Sequence, residues 1–226
     1  MAASGLFASL TPKSDLWSFI SIESVPPTEI YSLVLFCLMI WALFAVLETY
    51  VASVKSKSWI IMLTSSGLLS LFGTFYVARA QIYSLWTNEH IYADDKLSRL
   101  ILLFFLATNI MDLIIGAICY PEFVDPFSSI AHHIFYNIFI TILLFHGYSR
   151  GFVLCFLMEI PTFILALGTV WKEYRSDVLF GVSFLLTRVF YNAYLAYRLR
   201  LLSPDGNIWK VCVLVLGLHL FWFSKW

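Results

Sequence analysis

Residues 127–145 read FSSIAHHIFYNIFITILLF. These nineteen residues include no Asp, Glu, Lys or Arg. As a helix rising 1.5 Å per residue they reach about 28 Å, close to the ~30 Å hydrocarbon core of a bilayer. Apolar and polar positions do not alternate with period two, so a barrel strand is excluded and a transmembrane helix is expected. Inside it His132 and His133 stand side by side. Neighbouring helical residues lie about 100° apart, so the two rings cover a wide arc and cannot both face lipid without cost. Imidazoles at membrane depth are expected to line a cavity or pathway.

The rest of the chain agrees with this helix. Of 226 residues, 61% are apolar and 12% charged, about half the ~25% charged share of a soluble domain. The 14 basic and 14 acidic residues cancel, and no clustered basic face marks a nucleic-acid partner. Seven apolar segments follow one another, at 30–47, 59–78, 100–120, 127–145, 151–171, 178–197 and 208–223. Six are long enough to cross a bilayer, and the seventh is the shortest. The fold class expected is all-α, a multi-pass transmembrane bundle. Residues 1–29 carry no signal-peptide pattern and read as a partly apolar arm, 30–58 as a first transmembrane helix with its loop, and 59–226 as a six-helix membrane domain. Lys and Arg outside the spans lean towards a cytoplasmic N-terminus. The four cysteines lie within apolar segments without metal spacing and read as small buried apolar residues.

Three further ionisable groups interrupt the spans: Asp112, Glu159 and Arg188. A charge at a helix centre costs roughly 2.5–3.5 kcal/mol on insertion scales, so each needs a partner or a wet cavity. An ion pair of Arg188 with Glu159 or Asp112 is expected. One arginine cannot neutralise both acids, so a cavity role for the acids is expected beside it. On the histidine helix, residues four apart share a face, which groups Ser129, His133, Asn137 and Thr141 into one polar stripe. That stripe and the two acids are expected to line one pocket. Asp125-Pro126 reads as an N-cap followed by proline at the first helical position. Pro161, beside Glu159 and Thr162, is expected to kink its helix and free a carbonyl one turn back. Adjacent histidines diverge too far to share one ion, so neither metal nor cofactor is expected. The residue chemistry leaves two uses open for the histidines: general base or nucleophile, or hydrogen bonding between helices.

In order, these features are Asp112, Asp125-Pro126, His132-His133, then Glu159 with Pro161 and Thr162, then Arg188. In that order and at that spacing the chain resembles the TLC-domain family, which includes the ceramide synthases, the translocating-chain-associating membrane proteins and several small TLC-domain proteins. The resemblance runs from about Trp59 to Phe223. It implies a six-helix core around a lipid-holding cavity, here with one extra N-terminal transmembrane helix. His132 and His133 match the histidine pair of the ceramide synthase acyl-transfer site. The later aspartate pair of that site is not matched, and Glu159 stands alone in the region. The resemblance therefore implies a small TLC-domain protein acting in membrane lipid composition or lipid sensing. Its partner would be a membrane lipid or acyl chain, held by Ser129, Asn137, Thr141, Arg188 and Thr162. The alternative is an acyl-CoA-dependent acyltransferase using His132, His133, Asp112 and Glu159. A further alternative, an adaptor or cargo receptor for membrane traffic, would call for a coat-binding signal, and FWFSKW is not a dilysine signal. The location expected is the endoplasmic reticulum, with the plasma membrane as alternative.

Overall fold

Proline fixes where the first helix begins. Pro27 sits in the first turn of α1 (Pro27–Tyr50), where its missing N–H has no intrahelical partner to lose. In this computed structural model residues 26–204 and 208–225 are described, the side chains of 127 and 128 excepted. Residues 1–25 of the expected arm lie outside the described residues, and its last three, 27–29, belong to α1. Six further helices are long and apolar enough to cross a membrane: α2 (Val54–Ile82), α3 (Lys96–Cys119), α4 (Ser129–His146), α5 (Ser149–Val170), α6 (Asp177–Leu202) and α7 (Ile208–Lys225). The last, the shortest apolar segment in the sequence, forms a helix as long as α4. No strand occurs among the described residues.

Local chemistry sets the ends. The Ser53 hydroxyl accepts from the Ser56 amide at the start of α2. Asp95 and Ser98 form a reciprocal capping box, with Ser98 N to Asp95 Oδ1 at 2.7 Å, and this starts α3 four residues before its apolar run. Ser176 caps α6, and Gly147, at φ 72°, closes α4 in the left-handed conformation that only glycine adopts without strain. Asp125-Pro126 opens a π-wound turn over 126–131 rather than a regular first turn. The Asp125 carbonyl accepts from both Ser129 N, at 3.0 Å, and Ile130 N, at 3.1 Å.

Helices α2 to α7 pack in a ring. α2 lies against α3 and α5, α3 against α4, α5 against α6, and α6 against α7, while α1 packs on the outer face of α3. Helices α2 and α5 approach closely at Gly73. Gly73 abuts the backbone of Phe156 and Leu157, and buried Ser66 and Ser70 share the same small-residue helix. The remaining pair, α4 and α7, meets through the rings of His132 and Trp222, with centroids 6.4 Å apart.

At one end of the ring a polar clamp ties the 83–95 connection down. Arg99 pairs with Asp94 and with Glu29, the latter at 2.6 Å. Arg150 Nε donates to Asp95 at 2.7 Å, and the Tyr76 hydroxyl donates to the same carboxylate at 3.1 Å. The Ser98 and Ser149 hydroxyls bond to each other at 2.6 Å.

Candidate functional site

Two stretches of irregular backbone create the polar centre of the ring. In α5, residues Leu154–Glu159 wind as a 3-10 helix ahead of Pro161, which stands in the first turn of the α-helical part that follows. The expected proline kink is thus a change of winding. In α6, Leu185–Tyr191 wind as a π-helix. Such stretches leave carbonyls poorly used by their own helix, and at membrane depth these must find donors from neighbours. The Tyr191 hydroxyl donates to the Leu154 carbonyl at 3.1 Å, Arg188 Nε to the Met158 carbonyl at 3.0 Å, and His219 Nδ1 to the Arg188 carbonyl at 2.9 Å. α5, α6 and α7 are stitched together by side chains reaching for backbone.

Arg188 completes its coordination with Thr162 Oγ1 at 2.6 Å and Glu159 Oε1 at 3.9 Å, and it lies over the Phe184 ring at 5.4 Å. The expected ion pair exists at a long distance, while the short bonds go to a hydroxyl and a carbonyl. Asp112 takes no part in it. Its carboxylate lies 3.7 Å from His133 Nε2, with the Tyr120 hydroxyl 3.5 Å away.

These groups surround a cavity of about 310 Å³ inside the ring. His132, His133, Glu159, Arg188, Asn192 and His219 line its polar part, and Phe105, Tyr136, Phe139, Phe152 and Phe156 its aromatic middle. Adjacent rings in that middle touch edge to face, Phe105 with Phe156 at 5.0 Å and Phe152 with Phe156 at 5.4 Å. Tyr92 and Tyr148, 5.8 Å apart, close the end beneath the clamp. The α7 wall runs from Ile208 to Trp222, about 21 Å at the helical rise. Phe135 on α4 and Leu218 on α7 both line the cavity, flank the seam between these helices and are 44% and 43% exposed.

The polar stripe of the histidine helix does not stay together. His133 reaches the cavity, but Ser129, Asn137 and Thr141 are not part of its wall. Steps of four residues advance 400°, so the stripe drifts about 40° per step and about 120° from Ser129 to Thr141. The π-wound turn shifts Ser129 further. Thr141 spends its hydroxyl on the Asn137 carbonyl of its own helix at 2.7 Å. Asp112 stands behind His133, outside the wall, and Thr162 acts through Arg188. One shared pocket for all these residues is therefore replaced by a cavity with a second polar layer behind it.

Several cavity residues were not singled out in the sequence. Asn109 stands one turn before Asp112, and Asn192 one turn after Arg188, so helical spacing from the known charges points to both. His219, an imidazole in an apolar span, carries the same signal as His132. The cysteines are free thiols. Cys212 belongs to the buried apolar core and Cys155 packs against it, both beside the cavity, as the sequence reading expected of small apolar residues, while Cys119 is exposed at the end of α3. Among the described residues no three His, Cys, Asp or Glu side chains converge as metal ligands.

No curated protein and no solved structure matches the chain significantly. The family model of the TLC domain matches residues 30–226, a stretch that takes in α1 as well as the ring. With seven helices among the described residues long and apolar enough to cross a membrane, and this match over most of its length, the chain is an integral membrane protein and belongs to the TLC-domain family.

Proposed function

We propose that this protein binds the acyl chain of a membrane lipid in the ring cavity and acts in setting the lipid composition of its membrane. The observation that carries the reading is a cavity polar towards its Trp222 end and aromatic beyond, about 21 Å along one wall at the helical rise, beside a seam flanked by exposed Phe135 and Leu218. A leaflet of the hydrocarbon core is ~15 Å thick, so an extended chain fits the long axis. The endoplasmic reticulum is the membrane we expect, with the plasma membrane as alternative. Native mass spectrometry of the full chain released from mild detergent tests the reading. A bound single-chain or acylated lipid is the expected result, and a protein that always emerges lipid-free overturns it.

A second reading rests on a different observation. His132 and His133 face the same cavity, and Asp112 lies 3.7 Å behind His133. In an acyl transfer, one imidazole would take the proton of an amine or alcohol as that atom bonds to the thioester carbonyl. The carbon–sulfur bond then breaks, and the thiolate leaves with the proton. The 3.7 Å separation is longer than the ~2.6–3.2 Å of an orienting hydrogen bond, and Glu159 is turned to Arg188. We therefore place lipid binding first. Labelled acyl-CoA and a sphingoid base supplied to microsomes should give little transfer. Strong wild-type turnover lost on His132→Ala/His133→Ala would reverse the order of the two readings.

A further inference from the structure

At the Trp222 end of the cavity, His132, Arg188 and His219 keep polar atoms that are neither hydrogen-bonded among the described residues nor sealed from the open space. On His219 that atom is Nε2. Its Nδ1 lies 2.9 Å from the Arg188 carbonyl, which can only accept, so the proton sits on Nδ1 and Nε2 offers a lone pair. On Arg188 it is Nη1, because Nε is spent on the Met158 carbonyl and Nη2 on Thr162. A guanidinium nitrogen only donates. On His132 both ring nitrogens are open. The His132 and His219 rings flank the Trp222 ring, with centroids 6.4 and 6.1 Å away, and the Arg188 charge acts on both imidazoles. One end of the cavity therefore presents a fixed acceptor, a cationic donor and an adaptable imidazole.

Depth and charge narrow what fits there. His132 stands three residues into α4 and Trp222 three residues before the end of α7, each about 4.5 Å from its helix end at the helical rise. Phe105 and Phe156 continue the cavity further in. A single-chain lipid in a leaflet has the same polarity, head near the surface and chain inward. Arg188 and Glu159, 3.9 Å apart, cancel each other, so a head that brought a net charge would stay uncompensated at this depth. An ammonium would in addition face the guanidinium. An ester has no donor for Nε2, and an alcohol must serve both protein groups with one oxygen. A carboxylic acid carries O–H and C=O on one carbon, and burial favours its neutral form. If its proton crosses to Nε2, the O–H bond alone breaks and a carboxylate–imidazolium pair forms. The net charge is unchanged, and the bond from Arg188 becomes charge-assisted on both sides. The space, about 310 Å³, lies at the low end of the ~300–1,000 Å³ of small-molecule sites and suits one chain.

We propose that the cavity takes a free long-chain carboxylic acid. Its O–H is donated to Nε2 of His219, its carbonyl oxygen accepts from Nη1 of Arg188 beside His132, and its chain lies along the phenylalanine-lined middle. This rests on the acyl-chain reading above and names the class of ligand.

The test measures labelled oleic acid, oleyl alcohol, methyl oleate and oleylamine, each in turn, binding to the full chain purified in detergent at pH 7. Oleic acid should bind tightest, by about 10-fold or more, the worth of a charge-assisted hydrogen bond. His219→Asn keeps an amide N–H for the Arg188 carbonyl but places no acceptor where Nε2 was. It should weaken oleic acid about 10-fold and leave methyl oleate, which has no O–H to lose, within about 2-fold. His132→Phe breaks no hydrogen bond of the described residues, and should weaken oleic acid and methyl oleate alike, by about 3-fold. Methyl oleate or oleyl alcohol binding as tightly as the acid overturns the proposal while the acyl-chain reading stands. So does a His219→Asn protein that loses all four lipids equally or none of them, the mark of a purely structural imidazole. If none of the four lipids binds the wild type, the acyl-chain reading itself fails and takes this proposal with it. Should His219→Asn not fold, the wild-type ranking and His132→Phe decide.

Discussion

Arg188 is held by a carbonyl, a hydroxyl, a carboxylate and an aromatic ring from two helices. Such a guanidinium is worth more for what its loss exposes than for its own attraction. Arg188→Met should leave Glu159 without a counter-ion and the Met158 carbonyl without its donor, lowering stability by on the order of 2 kcal/mol. Arg188→Met/Glu159→Gln should lose less than the single variant, as thermal melting of the two proteins in detergent would show. Equal losses would mean that the 3.9 Å pair contributes nothing. At the clamp, burial pushes the Asp95 carboxyl up. The Ser98 amide, Arg150 and Tyr76 more than offset this and hold it below its ordinary value. A depressed carboxyl contributes stability that is present above the unfolded value, ~3.9, and is lost as pH falls through the folded one. Burial and the Arg150 charge lower His90. Its contribution is likewise present above ~6.5 and lost as pH falls through its depressed folded value. Melting curves between pH 8 and pH 5 should therefore fall with acidification, and His90→Gln should remove part of the slope. A slope unchanged in that variant would assign the acid sensitivity elsewhere.

Elements here are set by small residues and by winding. Gly73 lets α2 reach the 3-10 stretch of α5, where an added Cβ would meet the backbone of Phe156 and Leu157 rather than a movable side chain. Gly73→Val should cost about 3 kcal/mol or prevent folding, since overpacking against backbone cannot be relieved by rotamers. Gly217, on α7, has nothing within 4 Å of its missing Cβ. Gly217→Ala should be neutral or stabilising by up to about 1 kcal/mol through helix propensity. Urea or thermal unfolding of the pair in the same detergent separates the two cases. The capping box and the proline at the head of α1 are local devices, readable from spacing alone. The π-wound stretches of α4 and α6 are not. A π-turn arises when neighbouring packing pulls one residue out of the regular ladder, and no residue type marks it in the sequence.

At the scale of the molecule, the ring packs helix on helix except at the seam between α4 and α7. Phe135→Trp/Leu218→Trp should narrow that seam and slow the exchange of a fluorescent long-chain lipid several-fold in stopped-flow measurements, with little change in equilibrium affinity. Unchanged exchange would place the route for lipid elsewhere, for instance beneath Tyr92 and Tyr148. The number and type of spans were legible because hydrophobic length and backbone satisfaction are properties of each segment. Asp112, His132, His133, Glu159 and Arg188 stood out as costly groups in apolar runs, and the structure gathers four of them on one wall with Asp112 directly behind. Ser129, Asn137 and Thr141 were grouped by a four-residue rule that holds for one or two turns and drifts over three.

The sequence by itself determined the all-α membrane bundle, the family order of polar residues, and the need of each buried charge for a partner. A membrane helix satisfies its backbone within its own segment, so the information that makes it is contiguous. Only the tertiary structure decided which partners were chosen. Arg188 took Thr162 and the Met158 carbonyl at short range and Glu159 at long range, Asp112 went to His133, and His219 and Asn192 joined the site from helices far along the chain. Those choices depend on the rotation of each helix about its axis and on where its winding changes, and both are fixed by packing against neighbours.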